Sequence, residues 1–309
     1  MGGGKSNFKL EKNGGVRQDR DLLEIFQSNG GTLLSNFGDL DNWSMDDKTL
    51  GVFNEGHMEW EMYRARNQGP SGEPSLSQMT KKAIQKLSAS SAENGFVLIV
   101  EGGRIDHGHH MNQAKKAVTE TIELENAVKV ALDMTDDDDT LIIVTADHSH
   151  AVTFNGYADR GNPILGTYMD LNKKRYISLN WTHPTPTPYT TISYANGPGF
   201  SFHYNSTTGS YNDLTSVDTN ADEFQQMSTF YLDYETHGGE DVPLYATGPQ
   251  AHLLSGVHEQ SYVNHVMSYA ACLHPSREIV CPPATASGAV PVIVSLSSLV
   301  VAVILVYSI

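Results

Sequence analysis

Two short, unbroken apolar runs, Gly95-Phe-Val-Leu-Ile-Val100 and Thr140-Leu-Ile-Ile-Val-Thr145, stand out from an otherwise mixed pattern. Continuous β-branched runs of this length predict buried strands of a parallel sheet covered on both faces. Between them Ala114, Ala117, Val118, Ile122, Val128 and Leu132 fall near helical spacing, with Lys115, Lys116, Glu120, Glu123 and Lys129 on the other faces. The pattern predicts a strand, helix, strand unit. Upstream, Asp21–Gln27 reads as helix, Thr32–Leu34 and Leu50–Phe53 as short strands, and a helix starts near Pro74 and runs through Ala83, Ile84 and Leu87. Gln260–Cys272 supplies a late helix. This alternation predicts the α/β class, with a doubly wound, mostly parallel sheet sandwiched by helices.

The texture changes between Gly156 and Asp233, where Gly, Pro, Thr, Tyr and Asn dominate and Thr185-Pro-Thr-Pro-Tyr189 has no helical period. An inserted loop and strand region is expected there. The predicted division is therefore a core over 1–155, the insertion over 156–233, a return to the core over 234–282 and a hydrophobic tail over 283–309.

Chemistry collects just after the two apolar runs. Glu101 follows the first, and Asp106 and His110, four residues apart, can reach one divalent ion from a single helical turn. Asp147 and His148 follow the second. Ligands of open parallel sheets bind beyond the carboxyl ends of the strands, so two separate segments deliver carboxylates and imidazoles to one edge. The run Asp136–Asp139 lies in the loop before the second strand and reads as a solvated turn.

The segments EGGRIDHGHH at 101–110, TADHSH at 145–150 and ETHGGEDV at 235–242 together closely resemble the animal alkaline phosphatases. So do Gly248-Pro-Gln-Ala-His252 and the stretch around Ala270-Ala271-Cys272. The resemblance implies the C-terminal part of an alkaline phosphatase-like core, with 156–233 as a crown-like insertion. It implies two zinc ions and one magnesium ion, and no organic cofactor. Asp106, His110 and His237 would hold one zinc, Asp147 and His148 the second, and Glu101 the magnesium, with His107, His109 and His150 as supporting or structural residues. The activity implied is that of a phosphoric monoester hydrolase working through a phosphoserine, in a homodimer.

Departures from the family pattern carry equal weight. The family's N-terminal half supplies the nucleophilic serine and an aspartate shared between metals, and this chain has no Asp-Ser-Ala segment. Asn36-Phe37-Gly38-Asp39 is a poor substitute for the glycine-rich entry strand. The chain is expected to be an incomplete form, inactive alone. A non-catalytic, lipid-anchored metal- or partner-binding protein is the alternative; sulfatase-like chemistry fits the quoted motifs less well. A family calcium site would draw on the Phe53 carbonyl and the Glu73 carboxylate, but Asn54 stands where glutamate is usual. That substitution removes an anionic ligand from a hard-cation site.

The tail and the charge balance bear on location and partners. Residues 289–309 are almost wholly apolar, follow the small residues Ser287-Gly288-Ala289, and carry no charge after them. This resembles a glycosylphosphatidylinositol attachment signal with Ser287 as the attachment residue; a tail-anchored helix is the second reading. Met1 to Lys9 lacks the apolar core of a secretory signal peptide. Sequons at Asn42, Asn180 and Asn205 and a disulfide between Cys272 and Cys281 fit the outer face of the cell membrane. A net charge of −16 excludes general attraction to nucleic acid, leaving small phosphate monoesters as the expected substrates.

Overall fold

The computed structural model describes residues 1–44, 48–90, 95–168, 188–273 and, as backbone, 302–306. Asn180, Cys281, Ser287 and residues 185–187 of the Thr-Pro stretch lie outside the described residues. In chain order the elements are α1 (Leu22–Ser28), β1 (Thr32–Leu34), α2 (Phe37–Asp41), β2 (Thr49–Gly51), α3 (Glu61–Arg64), α4 (Leu76–Ser90) and β3 (Val97–Glu101). Then come α5 (Arg104–His110), α6 (Ala114–Met134), β4 (Leu141–Thr145), β5 (Val152–Phe154), β6 (Ile192–Gly197), α7 (Gly199–His203), β7 (Tyr204–Asn205) and β8 (Ser210–Tyr211). β9 (Ser228–Tyr231), β10 (Leu244–Thr247), α8 (Tyr262–Ala270) and β11 (Ala302–Val306) follow. The chain forms two compact units, the first from Met1–Glu101, Glu123–Thr145 and Leu244–Val306, the second chiefly from Gly102–Ile122 and Ala146–Pro243.

In the first unit, helix starts are written in side chains. Asp21 accepts from the amides of Leu23 and Glu24 at 3.1 and 3.2 Å to begin α1. Asn36 accepts from Asp39 N while the Asp39 carboxylate accepts from Ser35 N, each at 2.8 Å. The Asn36–Asp39 segment is thus a reciprocal helix cap. Ser75 and Gln78 cap α4 in the same reciprocal way. The α4 residue Met79 packs with Leu34, Leu40, Trp43 and Phe53 in one apolar cluster.

The main sheet of this unit runs β10-β4-β11-β3, with β10 antiparallel to β4 and β11 parallel to both neighbours. The two predicted strands therefore exist, but another strand lies between them. Ala302 pairs with Val97 on one side and Leu141 on the other, which places five residues of the apolar tail in a strand. β4 is buried as expected, Leu141 and Ile143 packing with Leu254 and Val266. β3 is not: Val97 and Ile99 are 47% and 66% exposed, because β3 has a partner on one side only among the described residues. The sheet is mixed, and within an α/β class.

α6 also departs from its predicted face. Ala114, Ala117, Leu124, Ala127 and Ala131 are buried, whereas Ile122 and Leu132 are exposed. Lys116 and Glu123, expected on the solvent side, are buried with partners: Lys116 Nζ lies 2.9 Å from Glu223 Oε2, and Glu123 accepts from Ser77 N at 2.9 Å. Small residues line the close side, and two long polar ones pay for burial with charge-assisted bonds.

The second unit contains α5, the start of α6, the sheet β5-β6-β9 and the β7-β8 pair. Gly108 allows α5 to approach α6, since a Cβ there would sit 2.6 Å from Ala117 N. Asn112, fully buried at φ 54°, ends α5. Its side chain donates to Asn196 O at 3.2 Å and accepts from Gly199 N at 2.9 Å, and its carbonyl accepts from Gln226 N at 2.7 Å. One left-handed asparagine therefore fixes α5 against the strands of its own unit.

Candidate metal centre

Three segments of the second unit meet around one carboxylate oxygen. α5 supplies Asp106 and His110, the loop after β4 supplies His148 and His150, and the segment after β9 supplies His237. From Asp106 Oδ1 the Nε2 atoms of His110, His150, His237 and His148 lie at 3.0, 3.1, 3.2 and 3.7 Å. His110 and His237 bring their Nε2 atoms to 3.2 Å of each other. Ligand atoms of a tetrahedral zinc bonded at about 2.0–2.1 Å stand roughly 3.3 Å apart, so these spacings suit such an ion.

The backbone explains the convergence. His150 and His237 form an antiparallel bridge, reinforced by Ala151 N to Thr236 O at 3.2 Å and Gly238 N to Ser149 O at 2.7 Å. Thr236 is held in turn by Asn196 of β6, which donates to its hydroxyl and accepts from its amide, both at 2.9 Å. Gly238 has to be small, because a Cβ would collide with Glu240 Oε2 and Ser149 Oγ. Those two atoms are hydrogen-bonded at 2.6 Å, and that bond holds the Glu240 carboxyl below its ordinary range.

Tautomers follow from the outer contacts. His110 Nδ1 lies 2.5 Å from Glu235 O, and His150 Nδ1 lies 2.7 Å from Glu235 Oε2. Each Nδ1–H therefore donates outward, and in the neutral ring the Nε2 lone pair is on the Asp106 side. His150 Nε2 and Asp106 Oδ1 are buried without hydrogen-bond partners. A carboxylate oxygen and imidazole nitrogens gathered this closely suit a cation, and imidazole with carboxylate fits zinc. Burial first, then the neighbouring His148 ring, lowers the pKa of His237, which favours the neutral, ligating form.

The remaining expected residues fall in different places. Asp147 is on the loop beside the cluster, its Oδ2 3.4 Å from His148 Nε2. The two groupings with mutually close ligand atoms are Asp106, His148, His150 and His237, and His110, His150 and Glu235, among the described residues. Glu101 is the exposed last residue of β3, in the first unit. His107 Nε2 is 4.0 Å from Asp106 Oδ2. His109 Nδ1 is hydrogen-bonded to the Tyr194 hydroxyl at 2.9 Å; burial pushes the His109 pKa down to about 3 and raises that of Tyr194. Tyr234 stacks on the His110 ring with centroids 4.1 Å apart.

The calcium donor set fits poorly. Asn54 Nδ2 donates to Glu73 Oε1 at 2.5 Å, and Glu59 N donates to Glu73 Oε2 at 2.7 Å. Both oxygens that a hard cation would need are satisfied by the protein's own amides. Of the sequons, Asn205 has its Oδ1 bound by Thr207 N and Thr208 N at 3.0 and 3.2 Å, and Asn42 is exposed on α2's end.

The structure brings Asp106, His110 and His237 side by side, and beside them stand three residues to which the sequence reading gave no ligand role. His150 is as central as His110, and Glu235 and Glu240 support the site although both sit in a motif read mainly for its histidine. Their signal was the run of fixed carboxylates flanking His237 in ETHGGEDV. Asn112 and Asn196 left no pattern to find.

A carboxylate ringed by four imidazoles makes a candidate metal site in an α/β fold. Residues 1–273 match the alkaline phosphatase family model. The chain is 44% identical over 248 residues to the tissue-nonspecific alkaline phosphatase of Felis catus, covering 79% of this chain and 43% of that one. It is 44% identical to alkaline phosphatase 4 of Drosophila melanogaster, covering 75% and 38%, and 37% identical to the membrane-bound alkaline phosphatase of Bombyx mori, covering 92% and 51%. Among solved structures, the alkaline phosphatase of the Antarctic bacterium TAB5 superposes with a TM-score of 0.53 at 21% identity, over 87% of this chain and 58% of that one. That of a psychrophilic Shewanella gives 0.53 at 21%, over 86% and 63%. The chain belongs to the alkaline phosphatase family. It spans about two fifths of the length of the first two of these relatives, at 43% and 38%.

Proposed function

We propose that this chain carries the metal-ligand portion of a phosphate monoester hydrolase. The observation that carries this is the set of four Nε2 atoms within 3.7 Å of Asp106 Oδ1. Asp106, His110 and His237 hold one zinc, Asp147 and His148 a second, and Glu101 a magnesium; a TAB5 alkaline phosphatase variant has magnesium in its M3 site. Bound there, the ions supply neutralisation of the apical oxygens of an in-line displacement at phosphorus. The chain's own groups orient the imidazoles and turn Nδ1 of His110 and His150 away from the reacting side, toward Glu235. Tyr234, on the His110 ring, forms part of the wall a substrate meets.

Without an Asp-Ser-Ala segment, the chain alone binds zinc and does not turn over. Zinc titration of the purified chain, with a chromogenic phosphate monoester at alkaline pH, tests both halves. Absence of zinc binding would sink the metal assignment, and chelator-sensitive turnover would show that another nucleophile serves. The membrane setting rests on the Bombyx relative and the apolar tail: a lipid anchor at Ser287, glycans on Asn42, Asn180 and Asn205, a Cys272–Cys281 disulfide, an extracellular face and a homodimer.

A further inference from the structure

Ala302–Val306 lies inside the sheet of the first unit, yet the sequence around it has the composition of a bilayer span. Residues 289–309 carry no charged side chain and match the ~20 apolar residues that cross a membrane. In the structure the strand pairs over its whole length with Val97–Glu101 on one side and Leu141–Thr145 on the other, parallel to both. β3 and β4, consecutive strands joined through α5 and α6, leave a gap one strand wide, and the tail fills it.

The two environments demand different backbones. A strand between two neighbours gives its N–H and C=O groups to them, whereas in the bilayer core a single segment satisfies those groups only as a helix. The same residues cannot do both at once. We propose that the tail is a two-state element, and that the slot between β3 and β4 sheathes residues 302–306 and so holds the tail back from lipid bilayers. Withdrawal is opposed by the sheet, because it leaves β3 with no strand partner among the described residues and β4 with β10 alone. Leu141, Ile142 and Ile143 are buried, so backbone groups freed there find no water to replace the lost bonds. The apparent affinity for lipid is therefore reduced to the fraction of molecules whose tail is free. The proposal is independent of the metal-centre reading and applies to the chain with its tail in place, since cleavage at Ser287 would remove the strand altogether.

A lock on the strand tests this in the full chain. Adjacent strands lie about 4.7–4.9 Å apart, inside the roughly 4.4–6.8 Å between Cα atoms that a disulfide spans. Ile99 is exposed and is the register partner of Ile304, so the double variant Ile99→Cys, Ile304→Cys should close a bond within one molecule on oxidation, identified by mass mapping. Neutral phosphatidylcholine vesicles are the probe, because a net charge of −16 would be repelled by anionic lipid. Flotation at rising lipid concentration should find binding lost in the oxidised variant and restored on reduction, while the natural chain binds alike under both conditions. In the vesicle-bound natural chain, amide-exchange protection should be lost at Val97–Glu101 and Leu141–Thr145 and kept at Thr32–Leu34. Equal flotation of the locked and reduced forms would overturn the proposal, as would a bond that never forms or forms only between two copies. Absence of vesicle binding by the natural chain would do the same. So would a vesicle-bound natural chain that keeps its β3 and β4 protection, a result that needs no variant to fold.

Discussion

Asp106 Oδ1 stands 3.1 Å from His150 Nε2, and neither atom has a hydrogen-bond partner. Nδ1 of His150 donates to Glu235, so whenever the ring is neutral its Nε2 is an acceptor that confronts the Asp106 oxygen. Such an arrangement is costly when empty of positive charge and favourable around a cation. Opposite signs should follow for Asp106→Asn. The amide can donate to an Nε2, so the metal-free protein should keep or gain stability. Zinc affinity should fall by more than the roughly 10–100-fold typical of losing a supporting residue. Thermal unfolding with and without zinc reads both; a loss of metal-free stability without loss of zinc binding would contradict the argument.

Gly238 and Gly239 make a paired test of the loop carrying His237. A Cβ on Gly238 would meet Glu240 Oε2 and Ser149 Oγ, whereas one on Gly239 meets nothing within 4 Å. Gly238→Ala should break the Ser149–Glu240 bond and cost about 1–3 kcal/mol, as overpacking does. Gly239→Ala should be close to neutral. Urea denaturation compares them, and equal effects would mean that backbone freedom, not space, governs this turn.

How far the sequence disclosed this protein differs by level. The helix beginning at Asp21 and the β4 run were readable because their signals act within a few residues. Asp106 and His110 were readable for the same reason. The face of α6 was not: periodicity alone ranks Ile122 above Ala127, while the packing partners decide that the alanines go inside. Glu235 and Asn112 act on groups 84 or more residues away, through a pairing register that local pattern does not encode.

Acid stability should carry the mark of His203. It is fully buried, its Nε2–H donates to Gln225 O at 2.6 Å, and burial pushes its pKa down to about 4. The unfolded chain, with an ordinary value of about 6.5, binds the proton first as pH falls. The stability contribution is thus complete above pH ~6.5, declines through the window down to about 4 and levels off below. His203→Gln, which keeps an amide donor, should remove this component of the slope. Between pH ~7 and pH ~5 the natural chain should lose about 2 kcal/mol more than the variant. Urea unfolding at both values measures it; parallel slopes would exclude His203.

Calcium gives a gain-of-function test. With Asn54 Nδ2 on Glu73 Oε1 at 2.5 Å, the natural chain should show no rise in melting temperature on adding calcium. In Asn54→Glu the donor becomes a second carboxylate, and the two anions repel until a hard cation neutralises them. The variant should be less stable without calcium and recover with it at millimolar concentration. A calcium response already present in the natural chain would show that the amide does not block the site.

The strand at Ala302–Val306 makes the last testable claim. It pairs in parallel with β3 on one side and β4 on the other, so its removal strips backbone partners from two strands at once. β4 is the more exposed to harm, because Leu141, Ile142 and Ile143 are buried and cannot turn to water for replacement bonds. Deleting residues 302–309 should therefore lower amide-exchange protection at Leu141–Thr145 and at Val97–Glu101 together. Protection at Thr32–Leu34, in the separate β1-β2 pair, should be unchanged. Unaltered exchange at β3 and β4 would mean that the apolar tail is not a strand of the sheet, and would leave membrane attachment as its use.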